Sequence, residues 1–306
     1  MMSFPPLLVD FLTGSFSYAT ELQALGKALQ GAVAVKSGLN KDGKMHWFHA
    51  FALTTVVAFG GGWLGFMLMG KPTSMITGGD VNVTSCILAF LIVNYTPFDI
   101  GFKALNFLPI KIIVTAFAQL FRSSGMIRFI KTATSEIQPS PHYPTPLFGP
   151  IVYGTMLGNM SGFMLKGFDG YLQGAMPWPF QNGLFIGTFF HVFAHDEKGI
   201  LGTTLRGFVK SVGSGSLLGG LDDITFAHVI TAGFMQVAGI LMLPNFLGPT
   251  FNPIVDPATW LGKTIAAVLR VEEHEEVESS SAKKEIAHEV PANGIKKKRK
   301  RKKKVA

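Results

Sequence analysis

Cysteine is almost absent from this chain of 306 residues. The lone Cys86 excludes an intrachain disulfide framework and any zinc site built on paired cysteines. Charge is scarce as well: 15% of residues are charged, against roughly 25% in an average soluble domain. The first residues lack the basic region and small-residue cleavage site of a secretory signal, although 4–12 is apolar, so insertion is expected to rely on internal spans. GxSxG, a Walker loop, a CxxC pair and a dinucleotide fingerprint are also missing, which leaves no motif for hydrolytic, nucleotide or thiol chemistry. The reading is therefore of a protein that is not an enzyme and holds no resident metal.

Apolar surface takes the place of the missing charge. Hydrophobic residues make up 48% of the chain and mean hydropathy is +0.34. A bilayer core about 30 Å thick needs roughly 20 apolar helical residues. The windows 47–69, 83–100, 107–121, 148–165, 183–193 with its flanks, and 226–247 meet or approach that demand. A seventh span is expected at 18–35, in spite of Glu21 and Lys27. The fold class read from this pattern is an all-α membrane protein of seven transmembrane helices.

GFMLMG at 65–70 reappears as GFMLKG at 162–167, and Gly61 and Gly158 match at the same offset. Two further spans lie between the copies, so the repeating unit contains three crossings. An odd unit sets its second copy upside down in the membrane, the inverted plan of many transporters and some channels. The expected organisation is a channel domain at 1–270, with repeat one at about 5–101, repeat two at about 106–196 and a final helix at about 225–247. Residues 271–306 form a charged tail, expected to be disordered.

That tail ends in the basic run 296–304 and lies on the same side as Lys36, Lys41, Lys44 and Lys103, which favours a cytoplasmic C-terminus. Lys71, Arg128, Lys131, Lys198, Arg206 and Lys210 fall on the opposite side. The run is either a solvated end or an attraction to anionic lipid. Lys303 and Lys304 near the end fit the dilysine pattern for retrieval to the endoplasmic reticulum.

Two constellations are candidates for function. Gly60, Gly61, Gly62 and Gly65 in one segment, and Gly158 and Gly162 in the other, permit either close helix packing or a kink that turns carbonyls toward a water-filled path. Lys111, Thr115, Gln119 and Arg122 share one face of the fourth span. Each cation at bilayer depth costs about 2.5 to 3.5 kcal/mol on insertion scales, so such a face points to gating or conduction. The alternative is that Lys111 and Arg122, about 16 Å apart, snorkel to opposite membrane surfaces. Asp99 is expected to pair with Lys103 or Lys111. His191, His195 and the adjacent Asp196, with His46 and His49, raise a metal reading; without several paired-histidine boxes on one membrane side, interfacial histidines fit better.

FGGGWLGFMLMGKP at 59–72, PFDIGFKALNFLPIKII at 97–113 and GTMLGNMSGFMLKGFDGYLQG at 154–174 resemble the trimeric intracellular cation channels, the TRIC family. The resemblance implies inverted three-helix repeats with glycine-kinked second and fifth helices, plus a final helix, a pore in every protomer and a homotrimer. It implies a potassium channel of the endoplasmic reticulum that supplies counter-ion flux during calcium release. Its implied partners are potassium ions and membrane lipids, with no nucleic acid. It further implies a phosphatidylinositol bisphosphate site on the fourth helix, for which Lys111 and Arg122 are the lipid-binding candidates. Where animal members carry Lys-Glu-Val, this chain has Ala118, Gln119 and Leu120; Arg122 matches the arginine that follows. A secondary transporter with inverted repeats is the alternative reading, and a membrane-embedded metal oxidase a further one.

Overall fold

The structure, a computed structural model, describes residues 5–73, 80–157, 178–212, 220–248, 252 and 254–268. Its regular elements are helical throughout. In chain order they are α1 (Pro6–Thr13), α2 (Ala19–Ser37), α3 (Trp47–Leu68), α4 (Val81–Tyr95), α5 (Ile100–Asn106), α6 (Leu108–Glu136), α7 (Phe148–Leu157), α8 (Trp178–His195), α9 (Ile200–Val212), α10 (Asp223–Leu241) and α11 (Val255–Val268). Residues 1–253 form one compact unit, and α11 belongs to a second, 254–306.

Two large clusters organise the first unit, beside a smaller one of Leu12, Leu120, Val229 and Ala232. In one, α2, α3 and α4 close around Ala24, Ala28, Ala58, Phe59, Cys86 and Ala89. In the other, α6, α8 and α10 close around Met126, Ile130, Phe190, Phe193 and Met235. Helix α6 also packs along α2 and so joins them. Lipid tails are as apolar as leucine, so helices in a bilayer associate by close packing instead of hydrophobic exclusion, and small residues let backbones approach. Helix α2 does this: a Cβ on Gly26 would stand 2.6 Å from Phe117 Cβ, and one on Gly31 would stand 3.1 Å from the Ala58 nitrogen.

Among the described residues three helices, α3, α6 and α10, are long and apolar enough to cross a membrane, and a fourth span results if the bent pair α4–α5 counts as one. The window 47–69 matches α3 almost to the residue. The expected span 107–121 extends to Glu136, making α6 29 residues and about 43 Å long. For the window 148–165, α7 is the described portion. The second copy of the repeated motif, with Gly158 and Gly162, lies outside the described residues.

The window 83–100 is corrected. Helix α4 stops at Tyr95, Thr96 is extended before Pro97, and Phe98 and Asp99 both adopt left-handed backbone angles (φ 55° and 57°). Helix α5 then departs at 95°. Thr96 Oγ1 donates to the Ile92 carbonyl (2.9 Å) and accepts from the Gly101 N–H (2.9 Å), closing the corner. Gly101 is required there, because a Cβ would overlap the Ile92 carbonyl oxygen. Helix α3, in contrast, passes through Gly60, Gly61, Gly62 and Gly65 as one uninterrupted helix.

Polar ties fasten the helix ends. Lys36 at the end of α2 donates to the Val93 carbonyl (2.8 Å) and pairs with Asp99 (2.6 Å). Lys71, beyond α3, pairs with Glu136 at the end of α6. After α8, the buried Asp196 accepts from the Tyr143 hydroxyl (2.6 Å) and the Gly202 N–H (2.9 Å), seating the first turn of α9.

Candidate functional site

The polar residues of α6 lie on the face turned into the bundle. Thr115 and Gln119 are buried, and Arg122, at the midpoint of the helix, has its Nε and Nη2 enclosed without a hydrogen-bond partner. Its Nη1 donates to Gln119 Oε1 at 3.0 Å. Arg122 therefore points inward and does not snorkel. Lys111 lies on the same face nearer the start of α6 and is half-buried.

Two neighbouring helices complete this polar layer. From α10, Gln236 donates to the Ala116 carbonyl (2.8 Å), and the missing side chain of Gly239 makes room for Gln119, whose Cγ would stand 2.5 Å from a Cβ there. From α2, Lys27 is close enough to Arg122 for the two positive charges to oppose each other. Among the described residues, the salt bridges join Lys36 to Asp99, Lys71 to Glu136, and Arg206 and Lys210 to Asp223. None of them neutralises Lys27 or Arg122. Two basic side chains thus share the interior of a bundle built for a membrane, neither with an acidic partner among the described residues.

Other sequence candidates are placed as follows. Gly60, Gly61 and Gly65 are buried on α3, and Gly62 is half-buried. The space above Gly65 is filled by the Phe129 ring from α6, with Cε1 2.6 Å from where a Cβ would be. Asp99 does not pair with Lys103 or Lys111 as expected: its partner is Lys36. The hydrogen bond from Lys36, then its charge, hold the Asp99 carboxyl below its ordinary value. His191 and His195 lie tilted to each other with ring centroids 5.9 Å apart, and His191 Nδ1 meets Thr134 Oγ1 at 3.3 Å. Asp196 faces Tyr143 and α9. Burial disfavours its ionisation, but hydrogen bonds from Tyr143, Gly202 and Thr145 outweigh this and lower its pKa. Among the described residues no three histidine, cysteine or acidic side chains converge on a metal position.

Lys27, Gln236 and Gly239 were not singled out by the sequence reading. Lys27 had a legible signal, a lone lysine amid the small residues of a span-length segment. Gly239 had none, because its importance depends on a side chain 120 residues earlier.

A model of the TRIC channel family matches residues 36–182. Trimeric intracellular cation channel type B-A of Xenopus laevis is 25% identical over 128 residues, 42% of this chain and 41% of the relative. The match thus spans less than half the length of that curated relative. Among solved structures, a trimeric intracellular cation channel from C. elegans in the absence of Ca2+ superposes with a TM-score of 0.54 at 14% identity, over 78% of this chain and 96% of that one. A trimeric intracellular cation channel from C. elegans with bound Ca2+ gives 0.49 at 14% identity, over 77% and 96%.

Proposed function

This chain belongs to the TRIC channel family, and we propose that it is a potassium-permeable cation channel of the endoplasmic reticulum or a related endomembrane. Its flux would balance charge during calcium release. The proposed assembly is a homotrimer of seven-helix protomers with inverted three-helix repeats and a cytoplasmic C-terminus. Thr115 and Gln119 line the path, with Gly60, Gly61, Gly62 and Gly65 on α3, and Gly158 and Gly162 of the second copy, as lining or hinge positions.

The observation that carries this reading is the polar layer between α6 and α2, where Arg122 and Lys27 lie without an acidic partner among the described residues. Bare cations would repel the ions of a cation pathway. They are compatible with it if an anionic lipid headgroup covers them or if they move with voltage. A charge crossing the membrane field gains about 2.3 kcal/mol per 100 mV, enough to bias a two-state helix. A phosphatidylinositol bisphosphate headgroup fits the first alternative, with Arg122 and Lys111 as ligands and Lys27 supplying a second deep cation where animal relatives place a lysine on the fourth helix.

Planar-bilayer recording in a potassium gradient tests the proposal. Ohmic single-channel steps with a reversal potential near that of potassium are expected, and Arg122→Ala should change conductance or voltage dependence. Saturable flux coupled to a second solute would replace the channel with a transporter. Identical currents from the variant would remove Arg122 from gating.

A further inference from the structure

We propose that α11 is an interfacial anchor, lying in the headgroup region of an anionic membrane leaflet. This goes beyond the channel reading and needs only that the chain resides in a membrane. Its failure and that of the channel are therefore separable.

The helix has the sidedness of a surface-lying segment. Asp256, Thr259 and Lys263 follow one another at three and four residues and form a polar stripe. Pro257, Ala258 and Leu261 occupy the opposite side, at spacings of four and three from Leu261. Trp260 falls at the boundary between the two. That is the position indole favours at a membrane surface, with its ring in the apolar layer and its N–H toward water. Leu261 is 53% exposed and Trp260 69%.

Length and exposure narrow the choice of partner. The described part of α11, fourteen residues and about 21 Å, is shorter than a hydrocarbon core of about 30 Å, and the sequence turns acidic at Glu272 and Glu273, so we read α11 as lying on the membrane. The exposed Leu261 gives this helix an apolar side that a membrane surface would cover. The membrane is within reach of the chain, because α10, long and apolar enough to span, ends at Leu241 and 13 residues separate it from Val255. Thirteen residues reach at most about 45 Å.

Charge specifies the leaflet. With Asp256 and Lys263, α11 carries one charge of each sign, so its own attraction to lipid is apolar. The same chain carries the nine-residue basic run 296–304, which is drawn to anionic headgroups. One apolar anchor binds a membrane only marginally and reversibly, whereas an anchor combined with a polybasic segment binds stably. The juxtaposition of α11 and this run on one 52-residue stretch, 255–306, supplies both signals.

The test uses the full-length protein in nanodiscs of phosphatidylcholine alone or with added phosphatidylserine. An environment-sensitive dye is placed at Leu261→Cys or, on the polar stripe, at Thr259→Cys, in a Cys86→Ala background. Blue-shifted emission and quenching by shallow spin-labelled lipid are expected at 261 but not at 259, stronger with phosphatidylserine. Replacing the lysines and arginines of 296–304 with glutamine should abolish that lipid dependence. A second measurement spares Cys86: brominated-lipid quenching of tryptophan fluorescence should lose one component in Trp260→Phe. Equal aqueous exposure at 261 and 259 in both membranes would overturn the proposal. So would efficient disulfide cross-linking between copies at 261, which would assign the face to a protein contact.

Discussion

Arg122 is the residue whose surroundings say most. A buried cation lacking a counter-charge is destabilising until something neutralises it, and removing the charge relieves the strain. Arg122→Gln and Lys27→Met should therefore each raise stability by about 1–3 kcal/mol in detergent free of anionic lipid. Thermal unfolding followed by tryptophan fluorescence measures this. Phosphatidylinositol bisphosphate should then stabilise the wild type more than either variant; equal stabilisation would mean that this layer does not hold the headgroup. Gly239→Ala acts oppositely, forcing a Cβ against Gln119 and costing about 1–3 kcal/mol. The sequence made the Thr115–Gln119–Arg122 face visible through its period alone. It did not show that α2 would bring Lys27 to that face, since helical periodicity orders residues within an element and says nothing of which neighbour faces them.

At the scale of elements, the corner between α4 and α5 shows how local signals and distant partners combine. Its existence was legible in YTPFDIGFK: proline lacks an N–H, and the residue before it avoids the α region. The position of the break and the partner of Asp99 were not, because Lys36 comes from 63 residues away. Glycine runs suggested that α3 would be the bent helix, yet it runs unbroken from Trp47 to Leu68, with Gly65 packed against the Phe129 ring. Two consecutive left-handed non-glycine residues are held at the corner by Thr96, Gly101 and the Lys36–Asp99 pair. Gly101→Ala should accordingly disrupt the corner and lower the melting temperature, because the clash is with backbone. The pH dependence of the ion pair has a definite sign. The Asp99 carboxyl is depressed below its ordinary 3.8, so the tie is complete above that value and is lost as pH falls through the lower, folded one. Wild type and Asp99→Asn should thus differ in stability at neutral pH and converge in strong acid. A difference that persists there would assign the effect of the substitution to something other than this charge.

At the scale of the whole molecule, α6 joins the cluster around α2, α3 and α4 to the cluster it forms with α8 and α10, because it also packs along α2. The seven-span count rests partly on segments outside the described residues, and on α2, whose charges masked its central place. Helix α2 is central because glycine and alanine bring it close to α3, α4 and α6, so a small-residue face, not hydropathy, was its signal. One consequence bears on assembly. The polar layer takes Lys27 from α2, Thr115, Gln119 and Arg122 from α6, and Gln236 and Gly239 from α10, all within one chain. In the proposed homotrimer each protomer then carries a complete pathway, and the pathways need not act together. Mixed assemblies of wild type and Arg122→Ala, purified through two different tags and recorded in planar bilayers, test this. Two populations of unitary steps are expected in one patch, each matching a homomeric channel, in proportions set by the subunit ratio. A single step of intermediate size would mean that ions cross at a site shared between subunits, and the layer around Arg122 would then act on conduction from outside the pore.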